Sequence, residues 1–439
     1  MQPKNEVLPP KDLLLTNADI LHVEDGSISK SRSLRLSGGR IVEIGTGHLG
    51  DGKAEVIDLK GRVVMPGLID AHVHILGELA HVADPNSKMR TFQAILGAKR
   101  LLRMLRRGFT TVRDAGGADA GYRSAVAERA MPGPRIFISG HALSPTGGHG
   151  DKRSHTDLSD PCGCVHLHAS FGRVCDGVPN VLTAARDEIR LGADQIKIVA
   201  SGGVGSTGGT LHTMQFSDDE IRAVVDEAAR SGTYVMAHVY SSEGVKRLVR
   251  LGVRSIEHGN LIEDDAARMI AEAGAFLVPN LVAYDSISKY GRAQGYPESA
   301  RSRLEEVLAA GARSLDIARR AGVKIGFGSD LVKDPESQSN EFTIRAEIMK
   351  PIEIIQSATL IGAEIVRMEG QIGTISVGAI ADLIAVDGNP LEKIDLLTGQ
   401  GASIPLIIKD GYVEKTALEG DFDRQWSEKT FGTVEKVYC

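Results

Sequence analysis

The sequence predicts an α/β protein built as a (β/α)8, TIM-like barrel over residues 63–365. A small β-sandwich domain formed by both chain ends, residues 1–62 and 366–439, completes it. Three observations carry this prediction. Short apolar runs alternate with amphipathic stretches through the middle of the chain, at the spacing of strand–helix units. Both ends read instead as strands broken by turn residues. Several histidines, a lysine and an aspartate end the middle strands, and barrel enzymes place their active sites at strand C-termini. A doubly wound open sheet is the alternative; that last placement favours the barrel.

The elements follow in order. Leu13–Val23 is strand-like, Glu24-Asp25-Gly26 a turn, and Ser33–Leu36 and Arg40–Ile44 flank a Ser37-Gly38-Gly39 turn, as in a hairpin. Val63–His74 is the first middle strand. A helix over Gln93–Arg107, stopped by Gly108, leads to Thr110–Asp114. Arg135–Ser139 comes next, then a helix over Val181–Leu191 and the strand Gln195–Val199. Ser217 and Glu220 form a capping box whose helix runs to Gly232 and feeds Tyr234–His238. Ser242–Leu251 is helical, Val253–His258 extended, and Ala275–Pro279 and Lys324–Asp330 complete eight strands. Eight strand–helix units in roughly 300 residues suit a closed barrel. Gly373–Ile375, Ala381–Val386 and Leu406–Ile408, with the Asp410-Gly411 turn, return to the texture of the N-terminal end.

Bulk properties narrow the function. The chain has 439 residues, 42% apolar and 25% charged, with a net charge of −6. No basic stripe occurs, which argues against a nucleic-acid partner. No apolar run approaches the ~20 residues of a membrane span. Met1–Leu15 lacks the pattern of a secretory signal, so a cytoplasmic location is expected. Cys162 and Cys164, near His166 and His168, suggest a zinc knuckle, but the second cysteine pair is missing and an ordered loop is the better expectation. Cys175 and Cys439 stand apart from that cluster.

The chemistry gathers at strand ends. His72 and His74, two residues apart on a strand, project to one face and offer half of a site for zinc or a similar ion. Lys197, His238, His258 and Asp330 also end, or nearly end, apolar strands. Lys197 has two readings: a buried ion pair or snorkelling stem, or an amine that takes up carbon dioxide to give an anionic carbamate.

Pro66-Gly67-Leu68-Ile69-Asp70-Ala71-His72-Val73-His74, the strand lysine, the later histidines and Gly328-Ser329-Asp330 resemble the amidohydrolase superfamily over nearly the whole chain. Gly108–Asp114, Gly147-Gly148-His149-Gly150-Asp151, Ile196–Gly203 and His238-Val239-Tyr240 look like its branch of metal-dependent dipeptidases and carboxypeptidases related to imidazolonepropionase. That branch acts on Xaa-Pro and Xaa-Arg dipeptides and includes ochratoxin, molinate and phenylurea hydrolases. The resemblance implies two divalent metal ions of the zinc type. His72, His74 and Asp330 would hold one, and His238 and His258 the other. A carboxylated Lys197 and a hydroxide would bridge them, with the hydroxide as nucleophile and Asp330 as proton shuttle. His149 and Tyr240 match positions that bind the substrate carboxylate. A small-molecule amide substrate and a homo-oligomeric assembly are further implications.

One stretch departs from the pattern. Where the peptidases carry a Ser-Pro-Thr-Asp-type loop, this chain has Gly205-Ser206-Thr207-Gly208-Gly209-Thr210-Leu211-His212, with His212 expected to face solvent. Peptide specificity does not carry across that loop; the leading expectation is an amide hydrolase of dipeptides or N-acyl amino acids. Hydrolysis of xenobiotic amides, carbamates or ureas is the alternative. A deaminase fits less well, since His238-Val239-Tyr240-Ser241 lacks the carboxylate of a His-x-x-Glu acid. A catalytically silent relative is disfavoured because all six candidate ligands are present.

Overall fold

Gly67 divides what the sequence presents as one strand. The computed structural model describes residues 7–77, 89–151, 153, 156, 158, 171–206, 209–293, 296, 298–332 and 335–418. Its first five strands are β1 (Leu13–Leu21), β2 (Ile28–Ser37), β3 (Arg40–Gly45), β4 (Glu55–Asp58) and β5 (Val63–Pro66). The chain then turns into the barrel with β6 (Leu68–Val73). Val63–His74 is thus two strands in two sheets, which corrects the expectation of one. The reason is steric. A side chain at position 67 would collide with Thr110, so glycine lets the backbone leave one sheet and enter the other.

The barrel runs through α1 (Arg90–Arg106), β7 (Phe109–Asp114), α2 (Ala120–Ala127), β8 (Arg135–Phe137), β9 (Ala142–Ser144), β10 (Gly172–Val174), α3 (Val178–Arg190) and β11 (Ile196–Val199). It continues with α4 (Asp218–Arg230), β12 (Val235–Ser241), α5 (Ser242–Arg250), β13 (Ser255–Leu261), α6 (Asp264–Glu272), β14 (Phe276–Val278), α7 (Leu281–Tyr290), α8 (Arg301–Arg320) and β15 (Lys324–Ile325). Among the described residues these strands pair in parallel as β6-β7-β8 and as a seven-stranded run, β10-β9-β11-β12-β13-β14-β15. The Ala71 amide donates to the Phe327 carbonyl at 2.8 Å and closes the ring between its last and first strands. Arg135–Ser139, expected as one strand, ends early and resumes after Gly140, whose positive φ of 65° turns the chain. The sequence also held no sign of β10, which extends the barrel sheet beyond β9.

Helices α9 (Asn340–Ala346), α10 (Pro351–Ser357) and α11 (Leu360–Ile365) lead out of the barrel to β16 (Leu383–Val386), β17 (Leu406–Lys409) and β18 (Tyr412–Thr416). These join the N-terminal strands in the order β18-β17-β16-β5-β1-β2-β3, with β4 beside β1. One apolar core lies in the barrel, where Val112, Ile198, Ala237 and Phe327 are buried, and another lines the terminal sheet around Leu15, Leu34, Val64 and Ile408. The two bodies are tied by Arg135 on β8, which pairs with Asp382 and Asp410. The capping box at α4 forms as expected: the Glu220 carboxylate accepts from the Ser217 amide at 2.6 Å, and Ser217 Oγ accepts from the Glu220 amide at 3.3 Å. Cys162, Cys164, His166, His168 and Cys439 lie outside the described residues, and Cys175 is a buried free thiol. Among the described residues, no helix is long and apolar enough to cross a membrane.

Candidate metal centre

All six strand-end residues singled out above, His72, His74, Lys197, His238, His258 and Asp330, line one cleft at the C-terminal mouth of the barrel, and His149 and Tyr240 line it too. The cleft encloses about 650 Å³, open solvent at its mouth included. Strand alternation accounts for much of this. On β12, His238 and Tyr240 stand two residues apart and face the same way. Two candidate ligands need backbone help: His258 has φ +74° and Asp330 φ +48°, both in the left-handed region.

The ring nitrogens are already sorted. His74 Nδ1 lies 3.0 Å from the Gly116 carbonyl, which only accepts, so that nitrogen carries the proton. His74 Nε2 then presents a lone pair 3.0 Å from Asp330 Oδ1. In the same way His72 Nδ1 donates to Glu257 Oε2 at 2.6 Å, leaving Nε2 to face Asp330 Oδ1 at 3.5 Å. Acceptors this close need a shared cation, either a proton or a metal ion. Burial, reinforced by the charge of Lys197, pushes His72 down to about 4 and His238 down to about 3, so both imidazoles are neutral near pH 7. Burial also works against charge on Asp330, but His72, His74 and Lys197 outweigh it and hold the carboxyl well below its usual range. Neutral imidazoles around a carboxylate suit a divalent ion better than a proton. The tightest trio is His72, His258 and Asp330, whose ligand atoms lie within 4.8 Å of one another. That trio cuts across the two ligand groups expected from the resemblance.

Lys197 is 1% exposed, so its stem does not snorkel. Among the described residues no carboxylate lies within ion-pair distance of its amine. Burial first, and the Arg113 charge with it, pushes the amine down to about 8 against the pull of Glu257 and Asp330.

The supporting shell was not visible in the sequence. Glu257 accepts from His72 and from Arg113 Nη2 at 2.9 Å, and that fully buried guanidinium also donates to the Ala71 carbonyl at 2.6 Å. Asp114 receives the Ile75 and Gly116 amides, and Asp70 receives Ser329 Oγ at 2.6 Å, so both fix the chain around the candidate ligands. Truncating Glu257 would strand the Arg113 charge. Glu257→Ala is expected to cost about 3–5 kcal/mol of stability, read from denaturant midpoints, whereas Glu257→Gln should recover part of it.

His149 stacks on His238 with centroids 4.7 Å apart at 15°. Its Nδ1 lies 2.7 Å from Ser206 Oγ, which also accepts the Gly203 amide. Ser206 therefore ties the divergent loop to the site. Thr207 and Gly208 of that loop lie outside the described residues, and His212 is exposed and pairs with Glu306 at 2.8 Å, as expected for a solvent-facing histidine.

The amidohydrolase family model matches residues 63–415, from β5 through β18. This chain belongs to the amidohydrolase family. It is 32% identical to the ochratoxinase of Aspergillus niger over 345 residues, 76% of this chain and 72% of that protein. The crystal structure of a prolidase complexed with N-methylphosphonate-L-proline is 46% identical, with a TM-score of 0.89 over 92% of this chain and all of that one. The structure of a Xaa-Pro dipeptidase with bound methionine is 31% identical, with a TM-score of 0.81 over 92% of this chain and 100% of that one. These amidohydrolases share the barrel and its sheet-rich companion, and a hydrolase of this superfamily is what the fold and the His/His/Asp cluster describe.

Proposed function

We propose that this amidohydrolase cleaves amide-type C–N bonds in dipeptides or N-acyl amino acids, using two divalent metal ions, zinc by preference, and a carboxylated Lys197. The reading rests on one observation above all: six ligand-type side chains, two from the end of β6 and the rest from four other strands or the turns that follow them, meet in a cleft flanked by two donors, His149 and Tyr240. The likeness to a prolidase that holds N-methylphosphonate-L-proline supports it. Carboxylation of Lys197 is favoured by its burial without an ion-pair partner among the described residues, because a carbamate would turn a misplaced cation into a metal-bridging anion. With the amine at about 8, roughly a tenth is neutral and reactive at pH 7.

When bound, two such ions would polarise the scissile carbonyl and bring the pKa of a water towards ~7. The chain's own groups do the rest. Asp330, ionised and at the cleft floor, takes the proton from the attacking water and delivers it to the leaving nitrogen. Glu257 and the Gly116 carbonyl hold the rings of His72 and His74 in the tautomer that presents Nε2. Tyr240 and the His149 imidazole donate to the substrate carboxylate. A second reading, hydrolysis of xenobiotic amides, carbamates or ureas, rests on the ochratoxinase relative. A screen of dipeptides and N-acyl amino acids beside aryl amides, ureas and carbamates separates the two. Turnover confined to compounds without a free carboxylate would sink the first.

A further inference from the structure

We infer that Tyr284, on α7, is a positioning residue that aims the Tyr240 hydroxyl at the substrate carboxylate. The inference rests on the proposed role of Tyr240 as a carboxylate donor. Tyr284 Oη donates to Tyr240 Oη at 3.0 Å. A phenol has one proton, so the same oxygen, 2.8 Å from His258 Nδ1, must accept there. The chain of donors therefore has one direction: His258 Nδ1–H to Tyr284, then Tyr284 O–H to Tyr240. Having accepted, the Tyr240 hydroxyl keeps its own proton for a further partner. That proton lies near the plane of a ring stacked on His258, centroids 5.1 Å apart at 11°. The Val204 amide also approaches the Tyr240 oxygen; with two donors arriving, the hydroxyl's own proton is left for a ligand in the cleft that Tyr240 lines. At the other end, a proton on Nδ1 leaves the lone pair of His258 on Nε2.

Tyr284 is well placed to hold this direction. It is 3% exposed, in the first turn of α7, whose N-cap Asn280 is left-handed, φ +55°. The buried Glu341 carboxylate accepts from the Val282 amide at 2.6 Å and pins that turn. A rigid helix start thus sets the sense of the hydrogen-bond chain. The substrate oxygen receives a donor that does not have to reorient first.

The test compares kcat/KM for a dipeptide and for the same dipeptide with its carboxylate amidated, in the full-length metal-loaded enzyme. Tyr284→Phe is expected to cut the preference for the free carboxylate about tenfold, chiefly through KM of the free acid. Tyr240→Phe should remove the same preference, and the double variant should lose little more than either alone. Equal losses on both substrates in Tyr284→Phe, or a large wild-type preference that Tyr284→Phe leaves intact, would overturn the inference while leaving the carboxylate reading standing. A wild-type preference near one overturns the carboxylate reading itself and the inference with it. Metal content measured on each variant shows whether an equal loss comes from His258.

Discussion

Lys197→Ala is expected to lower kcat/KM by about a thousandfold or more, equivalent to about 4 kcal/mol of transition-state stabilisation. Metal content, measured by mass spectrometry, should fall from about two ions per chain towards one or none, since the side chain read as their bridge is gone. The loss cannot be blamed on a broken ion pair, because no carboxylate among the described residues sits within pairing distance of this amine. Retained activity would remove the bridging role. A pH test follows from the lowered amine. Only neutral lysine takes up carbon dioxide, and its share falls about tenfold for each pH unit below about 8. Loading of metal-free enzyme with zinc and bicarbonate should therefore be fastest above pH 8 and about ten times slower at pH 6 than at pH 7.

Asp330→Asn carries the second large effect. The amide keeps the shape and one oxygen but cannot take a proton from water, so kcat is expected to drop about 10²–10⁴-fold while KM changes little. Cleft geometry should survive, because the Asp330 amide N–H still donates to the His72 carbonyl at 2.8 Å. Single-turnover kinetics on a carboxylate-bearing substrate, with metal content alongside, checks this. A variant that keeps near-wild-type kcat would transfer the shuttle to another group.

The candidate ligands were legible because each ends, or nearly ends, a short apolar run, a pattern that needs no tertiary knowledge. Their supports were not. Glu257 directly precedes His258, and strict alternation would turn the two to opposite faces. Only the positive φ of His258 lets both face inward. Asn280, left-handed after Pro279, brings its amide 3.1 Å from His72 Nδ1 across 208 residues of chain, a contact that no local pattern announces. Tyr284 falls between the expected strands Ala275–Pro279 and Lys324–Asp330, where no element was expected, and its partners come from β12 and β13. Among strands, the divided first one escaped because Val63–Ile69 runs across Gly67 without a polar residue, and only Thr110, far along the chain, shows why Gly67 breaks it.

That break has a thermodynamic consequence. Leu68 follows Pro66 with one glycine between, so the strand that ends in His72 and His74 is covalently continuous with the middle of the terminal sheet, where β5 pairs with β16. An ion that binds only the native arrangement stabilises everything that must stay folded to present those two rings. The terminal sheet, which supplies none of the candidate ligands, should therefore melt together with the barrel. Stripping the metal should lower the midpoint of both in a single transition, and the heat resistance of one sheet becomes a gauge of occupancy in the other.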